Sequence, residues 1–278
     1  MLMGTNYALM GIGFSLVFGV LGIVNFAHGT FVVLTMYLTL VLFNSAGLDP
    51  LVGTVVVTPM MVVFSVIVYW GLIGRFRMRM NETGMMLLTL GVSLLLESVL
   101  VFMFGTDIVS VKVRYDTTAF NLGPARVNVA RLLGGVLSVV TIAALSLFLR
   151  TTTFGKMIRA SANDSVGALL VGIDVERVYL GAFAISVATA AIAGSALSTF
   201  SVMTPYDGMH FMLYGFIVAV LGTLGSIPGA LVAGLTVGLL ETFTTVWLGA
   251  RWTDAVTFSL LIAVLIYRPG GLLQSRAA

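Results

Sequence analysis

The stretch LMGTNYALMGIGFSLVFGVLGIVNFAHGTFVVLTMYLTLVLF, Leu2 to Phe43, decides what kind of protein this is. It belongs to a run that carries no Asp, Glu, Lys or Arg from Met1 through Leu48. A bilayer crossing takes about 20 predominantly apolar residues, so the run has room for two. Its middle is not uniform. Gly22 and Gly29 bracket Asn25 and His28, which each need hydrogen-bond partners. Facing lipid, a non-helical turn there would leave backbone groups unpaired, which is costly in hydrocarbon. NFAHG therefore lies at a helix end near water or under a cover of protein. Two readings stay open. One is an ordinary interhelical turn capped by Asn25. The other is a broken helix beside a pathway, where free backbone groups, with Asn25, His28 and Gly29, meet a polar solute. If both halves cross, the N-terminus lies outside; if one is re-entrant, it lies inside.

The rest of the chain extends the same pattern. Of 278 residues, 59% are hydrophobic and 9% charged, and the mean hydropathy is +1.10. Soluble domains carry about a quarter charged residues, so a water-exposed globule is excluded. The alternating segments of a membrane β-barrel are absent. The fold class expected is all-α: one polytopic transmembrane helical bundle over residues 1–278, with some segments broken or re-entrant. Eight hydrophobic segments are read, at 2–24, 29–43, 51–74, 84–105, 131–149, 178–200, 210–248 and 252–267. GTLGSIPG, Gly222 to Gly229, divides the seventh. Gly222, Gly225, Pro228 and Gly229 break regular helix there as a turn or hinge. The N-terminus lacks the basic region of a cleaved signal peptide. The absence of cysteine removes disulfides and thiolate metal sites. No metal site and no nucleic-acid partner is indicated.

Lys and Arg placement orients the bundle. Arg75, Arg77 and Arg79 fill the link between the third and fourth segments; Arg150, Lys156, Arg159 and Arg177 surround the link after the fifth; Arg268 and Arg276 follow the last. All three regions are cytoplasmic if GTLGSIPG turns on that side. The link 106–130 then lies outside, against the bias of its Lys112, Arg114, Arg126 and Arg131. Small residues recur at every fourth position in Ala182, Ser186, Ala190, Gly194 and Ser198, and more briefly in Gly11, Ser15, Gly19 and in Ala230, Gly234, Gly238. Such stripes let helix backbones approach in lipid, within one chain or between subunits.

The longest cytoplasmic link is TTTFGKMIRASANDSVGALLVGIDVER, Thr151 to Arg177. Asn163 or Asp164 suits the N-cap of a short helix, and Gly172 its C′ position. Ala168, Leu169, Leu170 and Val171 form an apolar patch that membrane lipid or a soluble partner would cover.

GKMIRASANDSVGALLVGID resembles the cytoplasmic coupling segment of permeases from the branched-chain amino acid ABC importer family. FGVLGIVNFAHGTFVVL, AVLGTLGSIPGALVAGLTVGLLE and the closing IYRPGGLL fit the same family, closest to its LivH type. The resemblance implies an inner-membrane permease of a bacterial cell that pairs with a second, related permease, two cytoplasmic ATPases and a periplasmic substrate-binding protein. It implies that Gly155, Lys156, Arg159, Asn163, Asp164, Ala168, Leu169 and Gly172 couple to the ATPases, and that ATP and Mg are held by those partners with no cofactor on this chain. The sequence agrees in that no G-x-x-x-x-G-K-[ST] occurs. Urea and short amides are alternative solutes in that family.

Glu97 and Glu241 lie within apolar segments, where ionisable groups are costly and face protein or a water-filled cavity. Either one borders a translocation path, or it sits hydrated near an interface. A carboxylate on the path would also suit a secondary transporter driven by protons or sodium and needing no cytoplasmic partner. A non-transporting scaffold is a further rival. An enzyme is not indicated, since no nucleophile–base pair is visible.

Overall fold

The computed structural model describes residues 2–77, 79–115, 118–122, 125–268 and 271. Helix α1 (Leu2–Leu21) is followed by α2 (His28–Ala46) and α3 (Pro50–Val68), which runs through a π turn at Tyr69–Ile73 into α4 (Gly74–Arg77). Then come α5 (Glu82–Phe104), a hairpin of β1 (Ala119–Leu122) and β2 (Ala125–Asn128), and α6 (Val129–Thr151). Two short helices, α7 (Thr153–Asn163) and α8 (Ser165–Leu170), precede the long α9 (Val175–Ser198). The chain closes with α10 (Gly208–Leu221), α11 (Ile227–Trp247) and α12 (Thr253–Tyr267). Among the described residues, eight helical stretches are long and apolar enough to cross a bilayer, so this is a multi-pass membrane protein. Helix α10 is not among them: its 14 residues span about 21 Å at 1.5 Å per residue.

Small residues decide which helices meet. A Cβ on Gly4 would lie 2.5 Å from the Gly234 carbonyl, and one on Gly238 2.5 Å from the Gly4 backbone, so α1 and α11 touch main chain to main chain. Gly194 meets Val32 and Thr35 of α2 in the same way. All five members of the α9 stripe are buried. The α9 stripe is thus packed against helices of its own chain. Helices α1 and α9 form the centre, with 83% and 67% of their spans buried, while α5, α6 and the span containing α12 are at 22%, 28% and 17%. Those outer helices turn side chains such as Phe102, Val140 and Ile262 outward, as lipid contact requires.

GTLGSIPG breaks the seventh segment as its residues predict. Gly225 and Thr223 both take positive φ, at 84° and 70°. Ser226 then caps α11 by accepting from the Gly229 amide at 3.1 Å. Gly222 and Gly229 serve a different need: they face each other with no room for a side chain between them.

The arginine-rich links gather at one end of the bundle. Arg77 lies 3.6 Å from Glu176, Gly271 abuts Thr223, and Arg150 and Arg159 line a cavity of about 200 Å³ with Ser226 and Pro228. GTLGSIPG is therefore on the same side as the 151–177 link. The N-terminal end of α1 is opposite: Leu2 packs against Gly135 in the first half of α6, where a Cβ would lie 2.9 Å away. The link 106–130 is at that end too and, unlike the sequence reading, contains the β1–β2 hairpin. There the Tyr115 hydroxyl donates to Asp49 at 2.8 Å; burial and that carboxylate push its phenol above the usual range. Pro269, Gly270, Leu272, Leu273, Arg276 and Asp116 lie outside the described residues.

Candidate functional site

Three polar features stand out from the apolar bundle, one at each end and one at mid-depth. At the arginine-rich end, Thr152 caps α7 by accepting from the Gly155 amide at 3.0 Å. Gly155 is buried, and a Cβ there would lie 2.5 Å from Leu149, so the absence of a side chain lets α7 fold back on α6. Lys156, Arg159 and Asn163 are exposed. Of the two N-cap candidates, Asp164 is the one used: its Oδ1 accepts from Val166 and Gly167. Gly172, at φ 86°, ends α8. Its amide donates to Leu169 and that of Ile173 to Ala168, the paired bonds of a Schellman cap. This cap fixes which way the apolar patch points. Leu169, Leu170 and Val171 are 62%, 84% and 78% exposed, joined by Val166. Ala168 departs from the expected patch: it is buried, because one face of even a single-turn amphipathic helix packs on its own chain.

At mid-depth, the segment Gly22 to Ala27 turns back into the bundle. His28 Nε2 donates to the Met10 carbonyl at 3.1 Å, which leaves Nδ1 to accept from the Ser186 hydroxyl at 3.2 Å. Met10 precedes the end of α1 by eleven residues, so α2 begins about 16 Å back from that end. Six residues of nearly extended chain reach about 20 Å, enough for the return. Their backbone groups are covered by protein: Thr89 of α5 accepts from the Phe26 amide at 3.2 Å, and the Asn25 side chain accepts from Ala27 at 3.1 Å. Asn25 Nδ2 is buried with no hydrogen-bond partner among the described residues. Gly29 abuts the Gly208 carbonyl, so the starts of α2 and α10 touch.

Near the opposite end, Glu241 Oε1 accepts from the Tyr7 hydroxyl at 3.1 Å, while Oε2 is buried with no hydrogen bond from the described residues. The Tyr7 ring packs, tilted by 41° and 4.8 Å away, against Tyr214, whose hydroxyl donates to Asp254 at 3.0 Å. His210 Nε2 stands 3.6 Å from the same carboxylate. Glu241 comes six residues before the end of α11, about 9 Å deep, and exposed Asp254 connects the group to the surface. The sequence reading missed Tyr7, Tyr214, His210 and Asp254; the available signal was two phenols in apolar helices, each needing an acceptor. Glu97 is elsewhere, half-buried on α5, and no hydrogen bond or ion pair reaches it from the described residues.

Comparison with known proteins bears on the whole of this arrangement. Residues 1–265 match the family described as the branched-chain amino acid transport system permease component. The chain is 32% identical over 286 residues to the high-affinity branched-chain amino acid transport system permease protein LivH of Escherichia coli strain K12, covering 98% of this chain and 92% of that one. It is 31% identical over 285 residues to the Pseudomonas aeruginosa permease protein BraD, covering 97% and 92%. A probable branched-chain amino acid transport permease protein LivH of Methanocaldococcus jannaschii is 26% identical over 279 residues, covering 95% and 87%. No solved structure matches.

Proposed function

The chain belongs to the permease-component family of branched-chain amino acid transport systems, and from that premise we propose that it is the membrane-spanning subunit of an ATP-driven importer for branched-chain or related hydrophobic amino acids. The arginine-rich end is then cytoplasmic. Its partners are a second homologous permease, two cytoplasmic ATPases that hold ATP and Mg, and a periplasmic binding protein that delivers the solute.

The observation that carries the reading is the exposure of Val166, Leu169, Leu170 and Val171 on a capped helix at the arginine-rich end. Four large apolar side chains within six residues of a surface helix and its C-cap need a cover. The Asp164 and Gly172 caps hold them as a rigid knob. Closure of the ATPases displaces this knob. Residues Asn25, His28 and Gly29 sit where the starts of α2 and α10 meet, closed in this state, and parting of that contact joins the two sides. The polar group around Glu241 opens the other way and receives the solute from outside.

Reconstitution in vesicles tests this. The chain with its second permease, ATPases and binding protein is expected to accumulate leucine only with ATP. Uptake by this chain alone on a proton or sodium gradient would make it a secondary transporter instead. Stronger competition by urea or short amides than by isoleucine and valine would change the solute class.

A further inference from the structure

The outward surface of α8 is half of a coupling device; its inward connection is the other half. Helix α8 joins α9 through only Val171 to Asp174, and Asp174 caps α9 by accepting from the Arg177 amide at 3.1 Å. Glu176, in the first turn of α9, follows at once. Its Oε1 accepts from the Tyr69 hydroxyl at 2.7 Å, and its Oε2 lies 3.6 Å from Arg77. The Arg77 guanidinium in turn sits 3.6 Å above the Tyr179 ring.

The π turn explains how two residues eight apart reach one carboxylate. In an unbroken α-helix, such positions are about 80° apart around the axis. The one-residue insertion at Tyr69–Ile73 winds Arg77 back toward the face of Tyr69. Gly74 leaves the gap between them open: a Cβ there would lie 3.1 Å from Tyr69 and 3.2 Å from Glu176 Oε1. From the clasp, aromatic contacts continue inward. The Tyr69 ring is 5.9 Å from Phe183, which is 6.1 Å from Phe31, one turn beyond His28, and all three rings are fully buried.

The geometry points to Glu176, Tyr69 and Arg77 as positioning residues that pass displacement of α8 to α3 and to the mid-depth start of α2. Packed rings and a two-pronged carboxylate form a contiguous connection with little slack, whereas the four-residue joint alone transmits only to α9. This assignment rests on the importer reading above.

The test measures ATP hydrolysis and leucine uptake side by side in vesicles holding the complete complex. Tyr69→Phe and Glu176→Ala are expected to hydrolyse ATP within about twofold of wild type, while uptake per ATP falls about tenfold. Glu176→Gln keeps an acceptor for Tyr69 and is expected to recover most of that ratio. An unchanged uptake-per-ATP ratio in Tyr69→Phe and Glu176→Ala overturns the clasp while leaving the importer intact. Loss of ATPase co-purification in all three variants also overturns it, by making the contact one of assembly. A wild-type complex without ATP-driven uptake overturns the importer reading and the clasp with it.

Discussion

His28 and Ser186, 158 residues apart in sequence, share a hydrogen bond of 3.2 Å at the centre of the bundle, while the other ring nitrogen of His28 holds the Met10 carbonyl. One buried side chain therefore ties α1, α2 and α9 together. His28→Ala is expected to destabilise the purified chain by about 1–3 kcal/mol, because Ser186 and Met10 lose a buried partner. Thermal unfolding in detergent reads this directly. An unchanged midpoint would mean that the tie contributes nothing.

Gly29 and Gly53 make a matched pair of tests. Gly29 abuts Gly208 and Met212, whereas a Cβ on Gly53 meets nothing within 4 Å. Gly29→Ala is expected to cost about 1–3 kcal/mol by overpacking. Gly53→Ala is expected to be neutral or to stabilise α3 by about 1 kcal/mol, since alanine favours helix. Equal midpoints for the two variants would contradict the close approach of α2 and α10.

Ala168 and Leu169 are neighbours with opposite surroundings, one buried and one exposed. Leu169→Asp is expected to release the ATPases while changing stability by no more than about 0.5 kcal/mol, as for other surface substitutions. Ala168→Asp buries an unpaired carboxylate and is expected to lower the unfolding temperature first. Co-purification and thermal scans on both variants separate the effects. ATPase binding that survives Leu169→Asp would remove the knob from the mechanism.

Glu241 and Glu97 are distinguished by their company. Glu241→Gln disturbs a group that includes Tyr7, Tyr214 and Asp254, and uptake is expected to fall severalfold. Glu97→Gln touches no such group, and uptake is expected to hold. Rates measured in the same vesicles decide the matter. An equal loss in both variants would place Glu97 on the path as well.

The eight spans were legible because hydrocarbon length and charge exclusion act on composition alone. GTLGSIPG was legible too, since Gly225 and Pro228 carry their backbone constraints with them. Three features were not. The π turn at Tyr69–Ile73 lies in an unbroken apolar run, where a single inserted residue leaves no compositional mark. The burial of Ala168 depends on which face α8 turns inward, a phase that six residues do not define. The depth of NFAHG is set by the reach of His28 to Met10, a tertiary distance; hence both readings of that segment fitted its residues. Glu176 was passed over for a related reason. It belongs to a polar link by sequence, and only the fold brings it against Tyr69.

The seam of Gly4, Gly234 and Gly238 carries a mechanical consequence. Surfaces made of bare main chain have no rotamers to exchange, so they cannot give way by degrees as interlocked side chains do. Any motion that parted α1 from α11 would therefore have to open main-chain contact at Gly4, Gly234 and Gly238 all at once.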